Sequence, residues 1–566
     1  MDLDTARMPA PRGPGLLERD RIVADADFNR WLVPPAALCI HLCIGMAYGL
    51  SVFWLPLSQA LGIDAPIACP DMTMLDALFT TTCDWRVTDL LMTFTLGIAF
   101  LGVSAALFGG WLEWAGPRKA GVVAALCWGG GFVMSGVGVL VHQLWMMWLG
   151  LGVIGGIGLG LGYISPVSTL IKWFPDRRGM ATGMAIMGFG GGAMIGSPLA
   201  VILMNGGDFI NLQMPVLGEL RLHFDGFRSA TSVGVWQTFL VLGVAYTVVM
   251  LAGAFAYRVP PDGWQPAGWR PAEKSHAMIT DGNVHLDDAH KTPQFWLIWM
   301  ALCLNVSAGI GVLAMASPML QEIFGGSLIG APDVTFGALD EGQRLAVAAI
   351  AGGFVSLLSL FNSFGRFAWA SLSDPIGRKR TYFIFFALGI VLYGIAPSLA
   401  HLGSQALFVA AFCVILSMYG GGFSTAPAYL ADIFGTKYVG AIHGRLLTAW
   451  SVAGIVGPMV IGYIRDVQIA AGTPRAQVYD RTMYVLVGFL ACGLVCNALV
   501  RPVHARHLMA GDASERPLTP PVNAAAAQGV GFGGITPGAA AAWLVVGIPF
   551  AWGVWTTLMK AVTLFG

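Results

Sequence analysis

Two related stretches, GGWLEWAGPRK at 109–119 and ASLSDPIGRKR at 370–380, decide the fold of this chain. Each closes an apolar run and places an acid, a glycine and a basic residue in the same order. The pairs separated by 261 residues are Glu113 and Asp374, Gly116 and Gly377, Arg118 and Lys379, Pro166 and Pro427, Gly179 and Gly440, and Gly196 and Gly457. Proline, glycine and charge that recur together in one order indicate an internal duplication. The chain therefore contains two related halves.

Composition places these halves in a membrane. Of 566 residues, 56% are hydrophobic and 11% are charged, whereas soluble domains carry about 25% charged residues. A helix that crosses about 30 Å of hydrocarbon needs about 20 mostly apolar residues. Thirteen runs of this kind are predicted, at 33–60, 88–112, 119–141, 144–171, 180–204, 236–257, 295–321, 345–371, 381–400, 405–430, 441–464, 482–501 and 540–563.

The repeat and the runs together predict an all-α membrane protein. Two six-helix bundles are related by a parallel duplication, and one extra transmembrane helix follows them. The predicted parts are a cytoplasmic tail at 1–30, the first half at 31–257, a cytoplasmic linker at 258–293, the second half at 294–501, a flexible linker at 502–538 and the accessory helix at 539–566. Parallel repeats of this type place a transport site near the membrane midplane, between the halves.

The positions of the basic residues predict the orientation. They precede the first run or fall in alternate loops: Arg7, Arg12, Arg19, Arg21, Arg30, Arg118, Lys119, Lys172, Arg177, Arg178, Arg378, Lys379, Arg380 and Lys437. Such loops face the cytoplasm. We therefore expect an inner (plasma) membrane protein with a cytoplasmic N-terminus and, after thirteen helices, an external C-terminus. The formal net charge of zero gives no basic face for nucleic acid.

No cofactor, metal or catalytic cluster is expected. The cysteines show no zinc spacing, and the glycine-rich runs follow no strand of a dinucleotide-binding unit. Cys69 and Cys83 both fall in the first outward loop, where an oxidising compartment can join them. Two free thiols are the alternative.

The two opening stretches resemble the inter-helix motif of the major facilitator superfamily. In that motif a glycine permits close helix contact, and an acid meets basic residues. The resemblance implies a conformational latch made of Gly109, Glu113, Arg118, Asp374, Gly377 and Arg378. The alternative is an ordinary cytoplasmic loop that follows the positive-inside rule. It would explain the basic residues but not the acid at a fixed spacing.

Three further stretches resemble the oxalate/formate antiporter family within that superfamily. They are GLGYISPVSTLIKWFPDRRGMATGMAIMGFGGGA at 160–193, TPQFWLIWMALCLNVSAGIGV at 292–312 and LLTAWSVAGIVGP at 446–458. The resemblance covers most of residues 33–500 but not the last helix. It implies secondary active transport of small organic anions by alternating access, by a monomer in the lipid bilayer.

Arg366 is the predicted anion-binding residue. It lies eight residues before Asp374, hence about 12 Å along the helix and inside the membrane. A buried arginine there costs from about 3 to more than 10 kcal/mol, which favours a functional role. Its planar fork can bind a carboxylate bidentately. A structural ion pair is the alternative, but no carboxylate falls in the middle of any predicted helix, and the family has an arginine before the same motif.

Trp450 predicts the charge of the substrate. In the stretch of α-helical sequence that corresponds to LLTAW, the family's oxalate carrier resembles this chain but has a lysine where this chain has Trp450. One buried cation suits a monoanion better than a dianion, because an uncompensated charge in a low dielectric is costly. We therefore expect a small monocarboxylate as the partner.

Five further polar residues could line the cavity: Tyr48, Tyr163, Asn305, Asn362 and Tyr419. Ordinary helix packing is the alternative for each. His41 is a possible proton site, although a histidine in an apolar helix is more often a packing residue. The lack of an intramembrane acid favours anion exchange. The alternatives are a proton-linked monocarboxylate symporter and, in another class, a non-transporting membrane sensor, for which the loops offer no output domain.

Overall fold

The computed structural model describes residues 15–25, 28–63, 67–69, 71–214, 218–261, 263–266, 278–280, 282–509 and 536–562. Its long helices are α1 (Arg30–Phe53), α2 (Val87–Ala115), α3 (Pro117–Leu140), α4 (Leu144–Trp173), α5 (Arg178–Asn205), α6 (Val235–Ala256), α7 (Pro293–Phe324), α8 (Glu341–Ile376), α9 (Arg378–His401), α10 (Gln405–Phe434), α11 (Val439–Ala470), α12 (Asp480–Leu499) and α13 (Pro537–Val562). Within the described residues, twelve spans are long and apolar enough to cross a membrane. The 36-residue α8 brings the set to thirteen.

The chain folds as two six-helix bundles, α1 to α6 and α7 to α12, which are related by a parallel duplication. Gly116 and Gly377 occupy the same place in the two copies, between α2 and α3 and between α8 and α9. Their φ angles are +83° and +89°, which a residue with a side chain rarely adopts. The glycine in each motif is therefore required by the sharp turn that joins its two helices.

The halves meet along two seams lined by small residues. In the α5–α8 seam, a Cβ atom on Gly183 would lie 2.9 Å from the Arg366 carbonyl oxygen. In the α2–α11 seam, a Cβ atom on Gly109 would lie 2.7 Å from the Ala441 Cα atom. Small residues let membrane helices approach this closely. Gly183 and Gly109 therefore let the two halves approach closely, whereas glycines such as Gly158 and Gly160 serve packing within the first half.

The two ends of the bundle differ in chemistry. We name the end with the α2–α3 and α8–α9 turns the basic face, and the opposite end the disulfide face. At the disulfide face Cys69 and Cys83 form a disulfide with a Cα–Cα distance of 5.9 Å. The Asp84 carboxylate accepts hydrogen bonds from the backbone N–H groups of Leu61 and Gly62 at 2.7 and 2.9 Å. The first loop is thus ordered by a covalent bond and a buried carboxylate.

A β-hairpin between α5 and α6 was not expected from the sequence. Strands β1 (Gly207–Met214) and β2 (Gly218–Phe224) pair antiparallel, with Gly207 opposite Phe224 and Met214 opposite Gly218. The hairpin lies at the disulfide face. The Trp552 indole N–H of α13 donates a hydrogen bond to its Phe209 carbonyl oxygen at 3.1 Å. It therefore connects the first half with α13.

Helix α13 lies outside the two bundles and touches both of them. It packs against α1 and α5 of the first half and against α8 of the second. The Phe550 ring contacts Gly191 of α5, and its centroid lies 6.4 Å from that of Phe364 in α8. Trp543 donates a hydrogen bond to the Trp31 carbonyl oxygen at 3.2 Å. The accessory helix therefore covers the lipid side of the α5–α8 seam.

Candidate functional site

Arg366 is fully buried in α8. Its Nε atom donates to Asn362 Oδ1 at 3.1 Å, one helical turn earlier. The hydroxyl groups of Tyr48 and Tyr163 approach the guanidinium, but both terminal nitrogens lack a hydrogen bond of good geometry among the described residues. A buried guanidinium with free donors is costly unless an acceptor arrives.

The acids that might have neutralised Arg366 are bound elsewhere. The Glu322 carboxylate accepts hydrogen bonds from Arg465 Nε and Arg475 Nη1, both at 3.0 Å, and from the Tyr479 hydroxyl at 2.6 Å. No ion pair joins Arg366 to a carboxylate anywhere in the described part of the chain. Within the described residues, its positive charge thus has no carboxylate partner.

Aromatic rings from both halves surround Arg366, and we call this space the chamber. Its rings are Tyr48 of α1, Tyr163 of α4, Phe189 of α5, Tyr419 and Phe423 of α10 and Trp450 of α11. The Arg366 Cζ atom lies 5.3 Å from the Phe423 ring centroid and 5.7 Å from that of Phe189. Cation–π attraction stabilises a guanidinium at such distances, but it leaves the in-plane N–H groups available.

Polar groups of the chamber also lack partners. Among the described residues, the Tyr163 hydroxyl and the Trp450 indole N–H are buried without a hydrogen bond. The hydroxyl oxygens of Tyr48 and Tyr419 lie 3.4 Å apart. With the two terminal nitrogens of Arg366, these groups supply several donors in one small space. Buried polar atoms without partners in a native protein call for an explanation, and an oxygen-rich anion provides one.

The structure gathers all seven predicted binding residues here. Tyr48, Tyr163, Asn362, Arg366, Tyr419 and Trp450 contact one another directly or through a neighbouring ring. Asn305 of α7 adjoins them, because a Cβ atom on Gly422 of α10 would lie 2.6 Å from its Oδ1 atom. The sequence analysis missed Phe189 and Phe423, which differ in no local pattern from lipid-facing phenylalanines.

Two buried histidines adjoin the chamber through Tyr163. The ring centroid of Tyr163 lies 5.3 Å from that of His41 and 5.8 Å from that of His443. His41 Nδ1 lies 2.5 Å from the Ala185 carbonyl oxygen, and Nε2 lies 3.2 Å from that of Tyr163. His443 Nδ1 has no partner among the described residues. The sequence analysis singled out only His41.

The second copy of the repeated motif joins the two halves at the basic face. Asp374 accepts hydrogen bonds from the backbone N–H groups of Gly179 and Met180 of α5, at 2.8 and 2.9 Å. Its Oδ1 atom also lies 2.7 Å from Arg378 Nη2. A carboxylate at a helix N-terminus satisfies free N–H groups and complements the helix dipole. Asp374 therefore caps a helix of the opposite half.

Asp432 of α10 extends this junction. It lies 3.2 Å from Arg178 Nη1 of the first half and 3.3 Å from Arg378 Nε of the second. Closer to the chamber, the Thr182 hydroxyl of α5 donates to the Ser424 carbonyl oxygen of α10 at 2.7 Å. These contacts close the path between the chamber and the basic face.

The first copy is built differently. Glu113 Oε2 accepts from Lys172 Nζ at 2.8 Å, whereas Arg118 donates to the carbonyl oxygens of Leu16 and Phe255 at 3.1 and 3.0 Å. The acid and the arginine of this motif therefore do not meet each other. Glu113 lies beside α11, because a Cβ atom on Gly440 would be 2.9 Å from its Oε1 atom.

A cavity of about 800 Å³ opens beside the first copy at the basic face. Glu113, Lys172 and Arg178 line it together with Trp264 of the linker and Tyr438 before α11. It lies on the basic side of the Thr182–Ser424 contact. Water can therefore reach the ion pairs of the basic face without entering the chamber.

Comparison with known proteins agrees with this architecture. A family model described as "Major Facilitator Superfamily" matches residues 37–458. The chain is 27% identical over 435 residues to the oxalate:formate antiporter of Oxalobacter formigenes, covering 76% of this chain and 83% of that protein. It is 28% identical over 350 residues to apicoplast pyruvate carrier 1 of Toxoplasma gondii, covering 56% and 59%.

Among solved structures, the fucose:proton symporter of E. coli has a similar fold. The match has a TM-score of 0.52 at 13% sequence identity and covers 84% of this chain and all of that one. This likeness concerns the fold alone.

The junction at the basic face predicts an effect of Asp374→Asn. An amide can accept only one of the two α5 N–H groups and loses the ion pair with Arg378, so the halves should separate there more often. We expect maleimide to label Thr425→Cys, a buried position of α10, several times faster in the Asp374→Asn protein. The seven free cysteines are replaced in both proteins.

Asp340→Asn serves as the matched control, because Asp340 caps α8 itself at the opposite end. Equal labelling rates with and without Asp374→Asn, or an equal rise with Asp340→Asn, would contradict a closing role for the junction.

Proposed function

Because the chain belongs to the major facilitator superfamily, we propose that it carries a small monocarboxylate across the membrane by alternating access, in exchange for a second anion. The protein is a membrane transporter and not an enzyme. The observation that carries the substrate proposal is the buried Arg366, whose two terminal nitrogens make no hydrogen bond of good geometry with the described residues. A carboxylate fits this fork with two parallel charge-assisted hydrogen bonds.

The charge of the chamber favours a single carboxylate. Arg366 supplies one positive charge, and Trp450 contributes a neutral N–H donor where a second cation would be needed for a dianion. A bound monocarboxylate makes the chamber neutral, whereas a bound dianion leaves one negative charge in a low dielectric. The names of two relatives include the monocarboxylates formate and pyruvate, and the first of them also includes the dicarboxylate oxalate.

The same charge count favours exchange. The empty carrier holds the uncompensated charge of Arg366 between its halves, and the loaded carrier is neutral. Alternating access requires the halves to slide past one another around this site, which costs less when the site is neutral. The loaded form therefore changes conformation faster than the empty form. A monocarboxylate symporter that also carried a proton would return one positive charge to the chamber.

The carrier acts as a monomer with its basic face in the cytoplasm and its disulfide face outside. Arg118, Lys172, Arg178, Arg378 and Arg380 all lie at the basic face, as positive loops on the cytoplasmic side do. This orientation places the disulfide in the oxidising compartment and the end of α13 outside.

The orientation predicts a labelling pattern in intact cells. We expect an impermeant maleimide to modify Cys69 and Cys83 only after treatment with an impermeant reductant. Arg380→Cys, which is exposed at the basic face, should react only after the cells are permeabilised. Labelling of Arg380→Cys in intact cells would reverse the orientation.

The binding role of Arg366 predicts loss of transport in Arg366→Gln. Glutamine keeps some hydrogen bonding but removes the charge, a loss of about 3 kcal/mol, which corresponds to roughly 100-fold in affinity. The measurement is counterflow in proteoliposomes with labelled formate, acetate, lactate, pyruvate, oxalate and malonate.

Arg221→Gln, in the exposed hairpin strand β2, is the control and should exchange as wild type does. If Arg366→Gln exchanges as fast as wild type, Arg366 does not bind the substrate. If wild type moves none of these acids, the substrate class is wrong.

Trp450→Lys should change the substrate charge. A lysine in α11 adds the second cation, so oxalate exchange at about pH 7.5 should rise by about tenfold or more, while monocarboxylate exchange falls because one positive charge then stays uncompensated. Trp450→Met removes the ring without adding charge and should leave the oxalate rate low. A similar oxalate rate in both variants would refute the charge argument.

A further inference from the structure

We propose that His41 and His443 form a proton-binding site shared by the two halves, which lets this carrier accept a dicarboxylate together with one proton. This inference rests on the proposed function and adds a second substrate class to it. The permanent charge of Arg366 matches one carboxylate, and an imidazolium beside the chamber would match the other.

The surroundings of His41 suit the protonated ring. Both of its nitrogens face backbone carbonyl oxygens, Nδ1 that of Ala185 at 2.5 Å and Nε2 that of Tyr163 at 3.2 Å. A neutral imidazole has one N–H donor, so one of these contacts would set two lone pairs against each other. An imidazolium donates at both nitrogens. The two carbonyls therefore form a ready place for a proton in the first half.

His443 brings a second ring from the opposite half. It lies on α11, two turns before Trp450, and is buried with Nδ1 unpartnered among the described residues. Its ring packs on Tyr163, which also packs on Trp450 and on His41. Tyr163 thus separates the two imidazoles, and all three rings border the chamber that contains Arg366.

Electrostatics link this site to the anion. The charge of Arg366 in α8 acts on His41, and His41 acts on His443. The Tyr163 ring of α4 packs on both imidazoles. Glu113 of α2 lies about one turn from His443 toward the basic face, beside Gly440, and is neutralised by Lys172. The chamber adds two further titratable groups, the hydroxyls of Tyr48 in α1 and Tyr419 in α10.

The charges of Arg366 and of the bound anion determine when a histidine binds a proton. In the empty carrier, burial and the unpaired charge of Arg366 both oppose a proton on His41. A bound dianion reverses that field and leaves one negative charge to be matched. A proton on either histidine opposes a second proton on its neighbour, so the pair takes up one proton. Arg366, one imidazolium and a dianion sum to zero, as Arg366 and a monocarboxylate do. Both loaded forms are then neutral, and exchange between them moves no net charge.

The test compares counterflow of labelled oxalate and labelled acetate in proteoliposomes between about pH 7.5 and about pH 5.5, a range in which both carboxylates of oxalate stay ionised. We expect the ratio of oxalate to acetate exchange to rise as the pH falls, by up to tenfold per pH unit, because one proton is bound with each dianion. Oxalate entry against internal acetate should acidify the vesicle interior.

The double variant His41→Gln/His443→Gln should lose this rise in the ratio, because no imidazole then remains to hold the proton. His401→Gln is the matched control, since His401 is exposed at the end of α9. Trp450→Lys in the double variant should restore oxalate exchange without any dependence on pH, which shows that the double variant folds.

The outcomes separate the two proposals. Acetate exchange with an oxalate-to-acetate ratio that is independent of pH in wild type, or a pH response that survives in the double variant, overturns the histidine site alone. If wild type exchanges neither anion at any pH, the proposed function itself fails, and this inference fails with it.

Discussion

The positive charge of Arg366, held inside the membrane without an acid beside it, is the constraint on which the rest of the site depends. The negative faces of the surrounding rings offset part of the free-energy cost of desolvating the guanidinium, but the rings cannot accept its hydrogen bonds. The Glu322 carboxylate is held by two other arginines at the disulfide face, and Asp374 and Asp432 are held at the basic face. We therefore infer that the chamber attracts an anion, because each nearby acid among the described residues is bound elsewhere.

Helix α8 connects binding with conformational change. Eight residues separate Arg366 from Asp374, so one helix carries both the proposed anion-binding guanidinium and the carboxylate that caps α5. The backbone of Arg366 also packs directly on Gly183. A shift of α8 relative to α5 must move the chamber and break the junction together. Helix α13 lies over the same pair of helices, with Phe550 between Gly191 and Phe364, so it must slide on at least one of them when the halves rock.

The sequence was sufficient to predict the features that depend on how deep a residue lies in the membrane. Apolar length and the repeated motif were enough to predict thirteen helices, the two halves and an arginine near mid-membrane, because all of these depend on position along the chain. Contacts across the bundle depend on which face of each helix is turned inward, and hydrophobic residues cover all faces of a membrane helix. Phe189, Phe423 and His443 therefore could not be distinguished from lipid-facing or packing residues. The β-hairpin was missed because it lies in a loop between two strong helical signals.

The duplication left the two halves chemically unequal, and the inequality has a mechanical consequence. In the second copy of the motif, Asp374 reaches across to α5 and joins the halves through two backbone hydrogen bonds. In the first copy, Glu113 is drawn to Lys172 of its own half, and the α2–α11 seam is held by packing of small residues and by the hydrogen bond from the Ser451 hydroxyl to the Ile98 carbonyl oxygen at 2.9 Å. Neutral contacts of this kind are weaker than charge-assisted ones. The basic face is therefore held more firmly along the α5–α8 seam, which also carries Arg366, so the event that opens this face must act on the seam nearest to the bound anion.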